Sequence, residues 1–296
     1  MLLKPDEVKR FFRLLHCVQA FANQRLRVFD DWAKPEDVRK HTMQEGVELR
    51  NRLIERGELF AEFAETNPFG LDASDLAVVE SWQHFVSGEF CIIRQLKDYA
   101  VFLKMGSNNE VYGVVALSDP LEDVIGRDIP IVVKAVLLPF EGRIIYDSLL
   151  SSYHLTLGGG IRKSLEAAYQ ETKAKSGIIT SLPVSVEQRS QSDADLLRFY
   201  LKSASNRERY QEEIWDLIDK DHELLVVYYQ EMGKSEARRY KARFAEMGLN
   251  SAWFAIFQGL IIASGPSEDD VRQSARRLVP RGKEDILFVF QYKRKA

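Results

Sequence analysis

The chain has 296 residues, 45% hydrophobic and 29% charged, with a formal net charge of -3. That is an ordinary globular composition, long enough for about two domains and for a core that needs no covalent staples. The two cysteines, Cys17 and Cys91, lie far apart with no C-x-x-C between them, which argues against a disulfide framework or a thiolate metal centre and suits a reducing compartment.

Charged residues enter the N-terminal MLLKPDEVKR at once, too early for the apolar stretch of a secretory signal. No later run approaches the ~18 apolar residues of a membrane span. A cytoplasmic protein without a membrane partner is expected.

The first predicted element is an amphipathic helix from Asp6 to Phe29. Val8, Phe11, Phe12, Leu15, Val18, Ala22, Leu26 and Phe29 recur at three- and four-residue spacings, and Pro5 suits its first turn. A second helix is expected from Pro35 towards Glu65, stopped at Asn67-Pro68 because a residue before proline avoids helical geometry. A shorter one follows from Ser74 to Phe85.

The period then changes from helical to alternating. Glu89–Leu96, Tyr99–Lys104, Val111–Leu117, Ile129–Leu138 and Arg143–Asp147 read as five short strands. Turns are placed at Lys97-Asp98, at Gly106 to Asn109 and at Pro139 to Gly142. Five strands in so short a stretch predict an antiparallel meander or a small barrel. Ile131 to Leu138 is apolar on both faces except at Lys134, as a central strand is.

Helical grammar returns after Tyr153. Gly158-Gly159-Gly160 lead into a helix from Ile161 to Lys175, and Ile178 to Val186 is extended. Further helices are expected after Ser192 and Ser205, each with an acidic residue three positions on (Asp195 and Glu208) in a capping-box arrangement. Glu208 to Met232 reads equally as one helix or two. Lys234 to Met247 is another helix, closed by Gly248. The chain ends β-β-α-β: strands Ala252–Phe257 and Leu260–Ser264 around a Gln258-Gly259 turn, a helix from Ser267 to Leu278, and a strand from Asp285 to Tyr292. The reading is therefore an α+β chain in four segments: helical (1–86), β (87–150), helical (151–249) and a ββαβ unit (250–296).

Catalytic patterns are sparse. The histidines, His16, His41, His84, His154 and His222, lie too far apart in sequence for a local metal motif, and no G-x-S-x-G elbow occurs. No metal and no cofactor are expected. Gly158, Gly159 and Gly160 ahead of a helix, followed by Arg162 and Lys163, are a candidate phosphate cradle, since glycine amides and a helix N-terminus favour anions. Arg162 stands where a Walker loop needs glycine, and Lys163 where a dinucleotide fingerprint needs one. A plain glycine turn is the simpler reading.

Asp128 and Lys134 give part of a nuclease pattern, but Val132 replaces the needed carboxylate. Asp147 either caps a turn or lines a pocket with Arg143 or Lys134.

Charge is uneven along the chain. From Gly233 to Ala296 thirteen Lys/Arg face seven Asp/Glu, a net of about +6. Lys234, Arg238, Arg239, Lys241 and Arg243 share one helix, Arg272, Arg276 and Arg277 another, and Lys293-Arg294-Lys295 end the chain. With Tyr240, Trp253 and Tyr292 interleaved, this is a candidate nucleic-acid face. Glu236, Glu246 and Glu268 to Asp270 dilute it, and a solvated helix face needs no partner.

Two segments carry resemblances. Trp253 to Arg277, through Trp253, Ala255, Gly259, Ala263, Gly265 and Val271, resembles a short bacterial and archaeal domain of unknown function. Val133 to Asp147 is similar to a segment of uncharacterised bacterial proteins. The resemblances imply a bacterial origin and assign no catalytic residue. The function expected is a non-enzymatic binding or interaction protein, with a protein partner or a second copy of itself. Nucleic-acid binding through Lys234, Arg238, Lys241, Arg272 and Arg276 is one alternative. An enzyme acting on a phosphorylated small molecule at Gly158 to Lys163, with Lys134, Arg143 and Asp147, is the other.

Overall fold

A computed structural model describes residues 2–106, 109–126, 128–153, 157–184 and 192–294. The chain divides into two compact units, Met1–Ser190 and Gln191–Ala296, and the fold is α+β.

The first unit opens with α1 (Pro5–Leu26), whose buried side carries Phe11, Leu14, Val18 and Phe21. The single helix expected over 35–65 is three pieces: a 3₁₀ segment (Pro35–Lys40), α2 (Met43–Glu55) and α3 (Leu59–Thr66). Thr42 restarts the helix with a reciprocal cap: its hydroxyl accepts from the Glu45 amide at 3.3 Å, while the Glu45 carboxylate accepts from the Thr42 amide at 2.7 Å. Helix α4 (Ala73–Ser81) completes the bundle. Buried Asp75 on α4 accepts from Arg10 Nε at 2.7 Å and also pairs with Arg13, tying α4 to α1.

The five predicted strands form as β1 (Val86–Gln95), β2 (Ala100–Lys104), β3 (Val111–Val115), β4 (Ile131–Phe140) and β5 (Arg143–Tyr146). A short helix, α5 (Leu121–Ile125), lies between β3 and β4 in addition to the expected elements, and a further strand, β6 (Ser151–Tyr153), pairs with β4. The sheet closes on itself. β1 pairs with both β2 and β4, β2 with β3, β4 with β5, and β3 with β5. All these pairings are antiparallel except β3–β5. The ring order 1-2-3-5-4-1 with that one parallel closure is the strand order of an OB-type Greek-key barrel.

Strand alternation fills the barrel and clothes it. Phe90, Ile92, Phe102 and Tyr112 point inward, with Phe90 in edge-to-face contact with Phe102 and Tyr112 at 6.0 Å. The outward residues of β1, β2 and β3, namely Cys91, Ile93, Val101, Leu103 and Val111, are buried under Leu165 and Tyr169 of α6 (Gly159–Ser176). Outward Val136, Leu138 and Phe140 of β4 are buried in the core shared with α1 to α4, Phe140 meeting Phe11 at 5.8 Å. Of the stretch after α6 expected to be extended, Ile179 makes a single parallel bridge to Tyr112, and residues 181–183 bend rather than continue a strand. Val184 is its last described residue, so 185 and 186 fall outside the described set.

In the second unit Ser192 caps α7 (Asp193–Leu201) as predicted. The next cap is Ser203, not Ser205: its hydroxyl accepts from the Asn206 amide at 3.1 Å and starts α8 (Ala204–Arg209). The stretch 208–232 is divided, with breaks at Tyr210 and Asp221 on either side of α9 (Gln211–Lys220). Helix α10 then runs unbroken over His222–Glu246, absorbing the separate helix expected from Lys234. Strands β7 (Ala252–Phe257), β8 (Leu260–Gly265) and β9 (Phe288–Tyr292) form a sheet in the order β8-β7-β9, with α11 (Glu268–Arg276) between β8 and β9. Gln258 and Gly259 both take positive φ, 48° and 86°, as a tight hairpin turn requires. One sheet face packs Phe254, Ile256 and Phe290 against Ala237 and Phe244 of α10. The other packs Ala255 and Leu287 against Val271 and Ala275 of α11.

Candidate functional site

The cluster proposed around the triglycine turn does not converge. Gly158 caps α6 and Gly159 and Gly160 are its first residues, all three exposed, with open space where a Cβ would stand. Arg162 folds back, its Nε donating to the Leu157 carbonyl at 3.1 Å and its Nη1 to the Ile129 carbonyl at 3.3 Å. It fastens the start of α6 to the barrel, and Lys163 is exposed. Lys134 is exposed on the outer face of β4, in register with Glu89 of β1, an opposite-charge cross-strand pair of the kind that stabilises sheets. Arg143 pairs with Phe140 in register, six residues further along β4 and about 20 Å away, and Arg143 Nη2 donates to Glu7 at 2.8 Å.

Asp147 lies in a different place from all of these. It follows β5, its amide donates to the Val136 carbonyl at 3.0 Å, and its carboxylate accepts from Arg50 Nη1 of α2 at 3.0 Å. Neither Arg143 nor Lys134 is its partner; Arg50 is. A signal for Arg50 existed: it stands three and four residues before Leu53 and Ile54, on the apolar side of its helix.

The ion pair sits in the core. Arg50 is 5% and Asp147 4% exposed. Burial pushes the Asp147 carboxyl up to about 6, against the opposing pull of the Arg50 charge. The pair lines a cavity of about 20 Å³, walled by Leu15, Leu53, Phe60, Trp82, Val136, Leu138 and Gln19 among others. Three residues that line it carry four buried polar atoms with no protein hydrogen-bond partner among the described residues: Arg50 Nε and Nη2, Trp82 Nε1 and Gln19 Oε1. Each such group costs about 1–3 kcal/mol if left unmade. Together they would consume most of a domain's usual stability of about 5–15 kcal/mol.

The predicted nucleic-acid residues divide between two surfaces. Lys234, Arg238 and Lys241 belong to α10, and Arg272 and Arg276 to α11, which cover opposite faces of the β8-β7-β9 sheet. Lys234 pairs with Glu231 at 2.6 Å, and Arg272 Nη2 with Glu268 at 2.7 Å. Lys241 instead stands over the Phe290 ring at 5.5 Å.

Lys241 also borders an open groove of about 620 Å³ between the end of α10 and the end of β9. Gln291, Lys293, Arg294 and the Gly248 turn lie along its walls, and among the described residues no carboxylate lines it. Arg294 is steered there by backbone: its amide donates to Ser251 Oγ at 3.0 Å and its Nη1 to the Gly248 carbonyl at 3.5 Å. A helix C-terminus carries about half a negative charge. Three full cations outweigh it, so the groove favours anions.

Among the described residues no three His, Cys, Asp or Glu side chains come together as metal ligands, and no helix is long and apolar enough to cross a membrane. The Cys91 thiol is pushed up to about 11 by burial, which keeps it protonated and unreactive. The chain matches no family model, no curated protein and no solved structure.

Proposed function

We propose that the protein is a binding protein and that its C-terminal unit holds the phosphate backbone of a nucleic acid in the groove between α10 and β9. The observation that carries this reading is the wall of Lys241, Lys293 and Arg294, with the Gln291 amide beside them and no carboxylate among the described residues. Exposed cations in an open groove suit a chain of phosphates passing through, and they bind by releasing its counterions rather than by reading bases.

The barrel supports a scaffolding role instead. In an OB-type barrel the outer face of the second and third strands and the β1–β2 and β4–β5 loops bind ligands, and the β1–β2 loop of this chain is only the short turn between Gln95 and Ala100. Here α6 covers that face through Leu165 and Tyr169. The β4–β5 loop is only the Glu141-Gly142 turn, and Glu141 is engaged by Arg10.

Fluorescence anisotropy with labelled oligonucleotides tests the proposal. Three phosphate contacts give a slope of log K against log salt of about -2 on single strands and about -3 on duplex. Lys241→Glu with Arg294→Glu is expected to flatten that slope and abolish binding at moderate salt. Arg272→Glu, on the opposite sheet face, is expected to leave both unchanged. No binding at low ionic strength, or a slope indifferent to the double variant, sinks the reading.

A further inference from the structure

The cavity beside the Arg50–Asp147 pair belongs to the first unit, and of the candidate site residues named from sequence only Asp147 lines it. It has the donors, the acceptor and the size of a binding site. Gln19, Arg50 and Trp82 line it at 7%, 5% and 0% exposure, and each brings polar atoms with no protein partner among the described residues. Nε and Nη2 form the edge of the guanidinium turned away from Nη1, the atom that holds Asp147. Two N–H groups on one such edge are parallel and converge on a common acceptor. Trp82 Nε1 is a third donor, and it can only donate. Gln19 Oε1 can only accept. Whatever fills the space must therefore accept from the Arg50 edge and from Trp82, and donate to Gln19.

Size and charge narrow the ligand further. A space of about 20 Å³ admits one water-sized species and excludes a carboxylate or a phosphate. Arg50 and Asp147 already cancel each other's charge, so an added ion leaves a net charge surrounded by Leu15, Leu53, Phe60 and Leu138, which burial penalises heavily. A neutral molecule with two lone pairs and two protons meets both demands.

We infer that this cavity is a hydration site, in which one internal water accepts from one N–H of the free Arg50 edge and from Trp82 Nε1 and donates to Gln19 Oε1 and to the Asp147 carboxylate, which also lines the cavity. The water is the third member of the Arg50–Asp147 pair. It links α1, through Gln19, to α2, through Arg50, and to the turn after α4, through Trp82.

A high-resolution crystal structure of the full chain tests this, with bromide soaking and xenon pressurisation of the same crystals. The expected result is a single ordered peak within hydrogen-bond distance of Arg50 Nε or Nη2 and of Gln19 Oε1, carrying no bromide signal and displaced by no xenon. An empty site or bound xenon means that the cavity is dry and overturns the inference. Bromide in the site means that its ligand is an anion and overturns it equally. Gln19→Leu, which replaces the acceptor with apolar atoms of similar size, is expected to lose the peak; its persistence overturns the assignment of partners.

Discussion

Arg50 brings a full charge into a wall of leucine and phenylalanine side chains, and Asp147 answers it. Breaking a buried pair by removing one partner costs about 3–5 kcal/mol, whereas replacing both with apolar groups is often neutral. Arg50→Met is therefore expected to destabilise the first unit by that amount, and Arg50→Met with Asp147→Leu to recover most of it, as read from urea unfolding midpoints. The pair also sets a pH dependence of unusual sign. Burial raises the folded-state pKa of Asp147 from 3.8 to about 6, so between those values the folded protein holds a proton that the unfolded chain has lost. Its contribution is complete below pH ~4 and is lost as pH rises through ~6, with a magnitude on the order of 3 kcal/mol. Relative to wild type, Asp147→Asn should gain stability between pH 4 and pH 6. A difference that stays flat over that range would contradict the assignment. Asp147 is identifiable from sequence because it ends a strand, and Arg50 because it stands on the apolar side of its helix, but no local pattern pairs the two. Arg50 lies 97 positions away, and only the packing of α2 on the barrel brings the two together.

At the scale of elements, glycines separate turns that serve a ligand from turns that serve the fold. Gly233 lies inside α10, where alanine normally gains about 1 kcal/mol in helix propensity. A Cβ there would stand 2.4 Å from the Phe288 ring of β9, and overpacking costs about 1–3 kcal/mol. Steric cost wins, so Gly233→Ala is expected to lower the thermal midpoint of the second unit. Gly159 and Gly160 meet nothing within 4 Å. Gly159→Ala and Gly160→Ala are expected to be neutral or to stabilise α6 by up to about 1 kcal/mol each; a loss of stability would show that those backbones need glycine. The elements that sequence revealed best have local causes: period-2 strands, the Gln258-Gly259 turn, the Ser192 and Ser267 caps. The helix expected over 35–65 fragments because Thr42 caps a new start within it. The parallel β3–β5 pairing that closes the barrel joins residues about 30 apart, and no periodicity within either strand encodes it.

At the scale of the whole molecule, each of the two units is built around its own cores. The first unit's barrel core continues into the α1–α4 bundle, and a smaller cluster lies under α6. The second unit buries Leu197, Tyr200 and Ile214 among α7, α9 and α10, and encloses its sheet between α10 and α11. Charge is divided inside that unit as well. Residues 191–232 hold ten Asp/Glu against five Lys/Arg, whereas 233–296 hold thirteen Lys/Arg against seven Asp/Glu. On the proposed reading, an anionic chain is repelled from the α7–α9 end and drawn to the α10–β9 groove, which orients it before contact. A unit with its own cores and its own field should work alone. Residues 191–296, expressed separately, are expected to unfold cooperatively and to bind oligonucleotides with the salt slope of the intact protein. Residues 1–190 are expected to fold, to retain the pH dependence set by Asp147, and to bind none. If oligonucleotide binding instead followed residues 1–190, the barrel and not the basic groove would be the binding element.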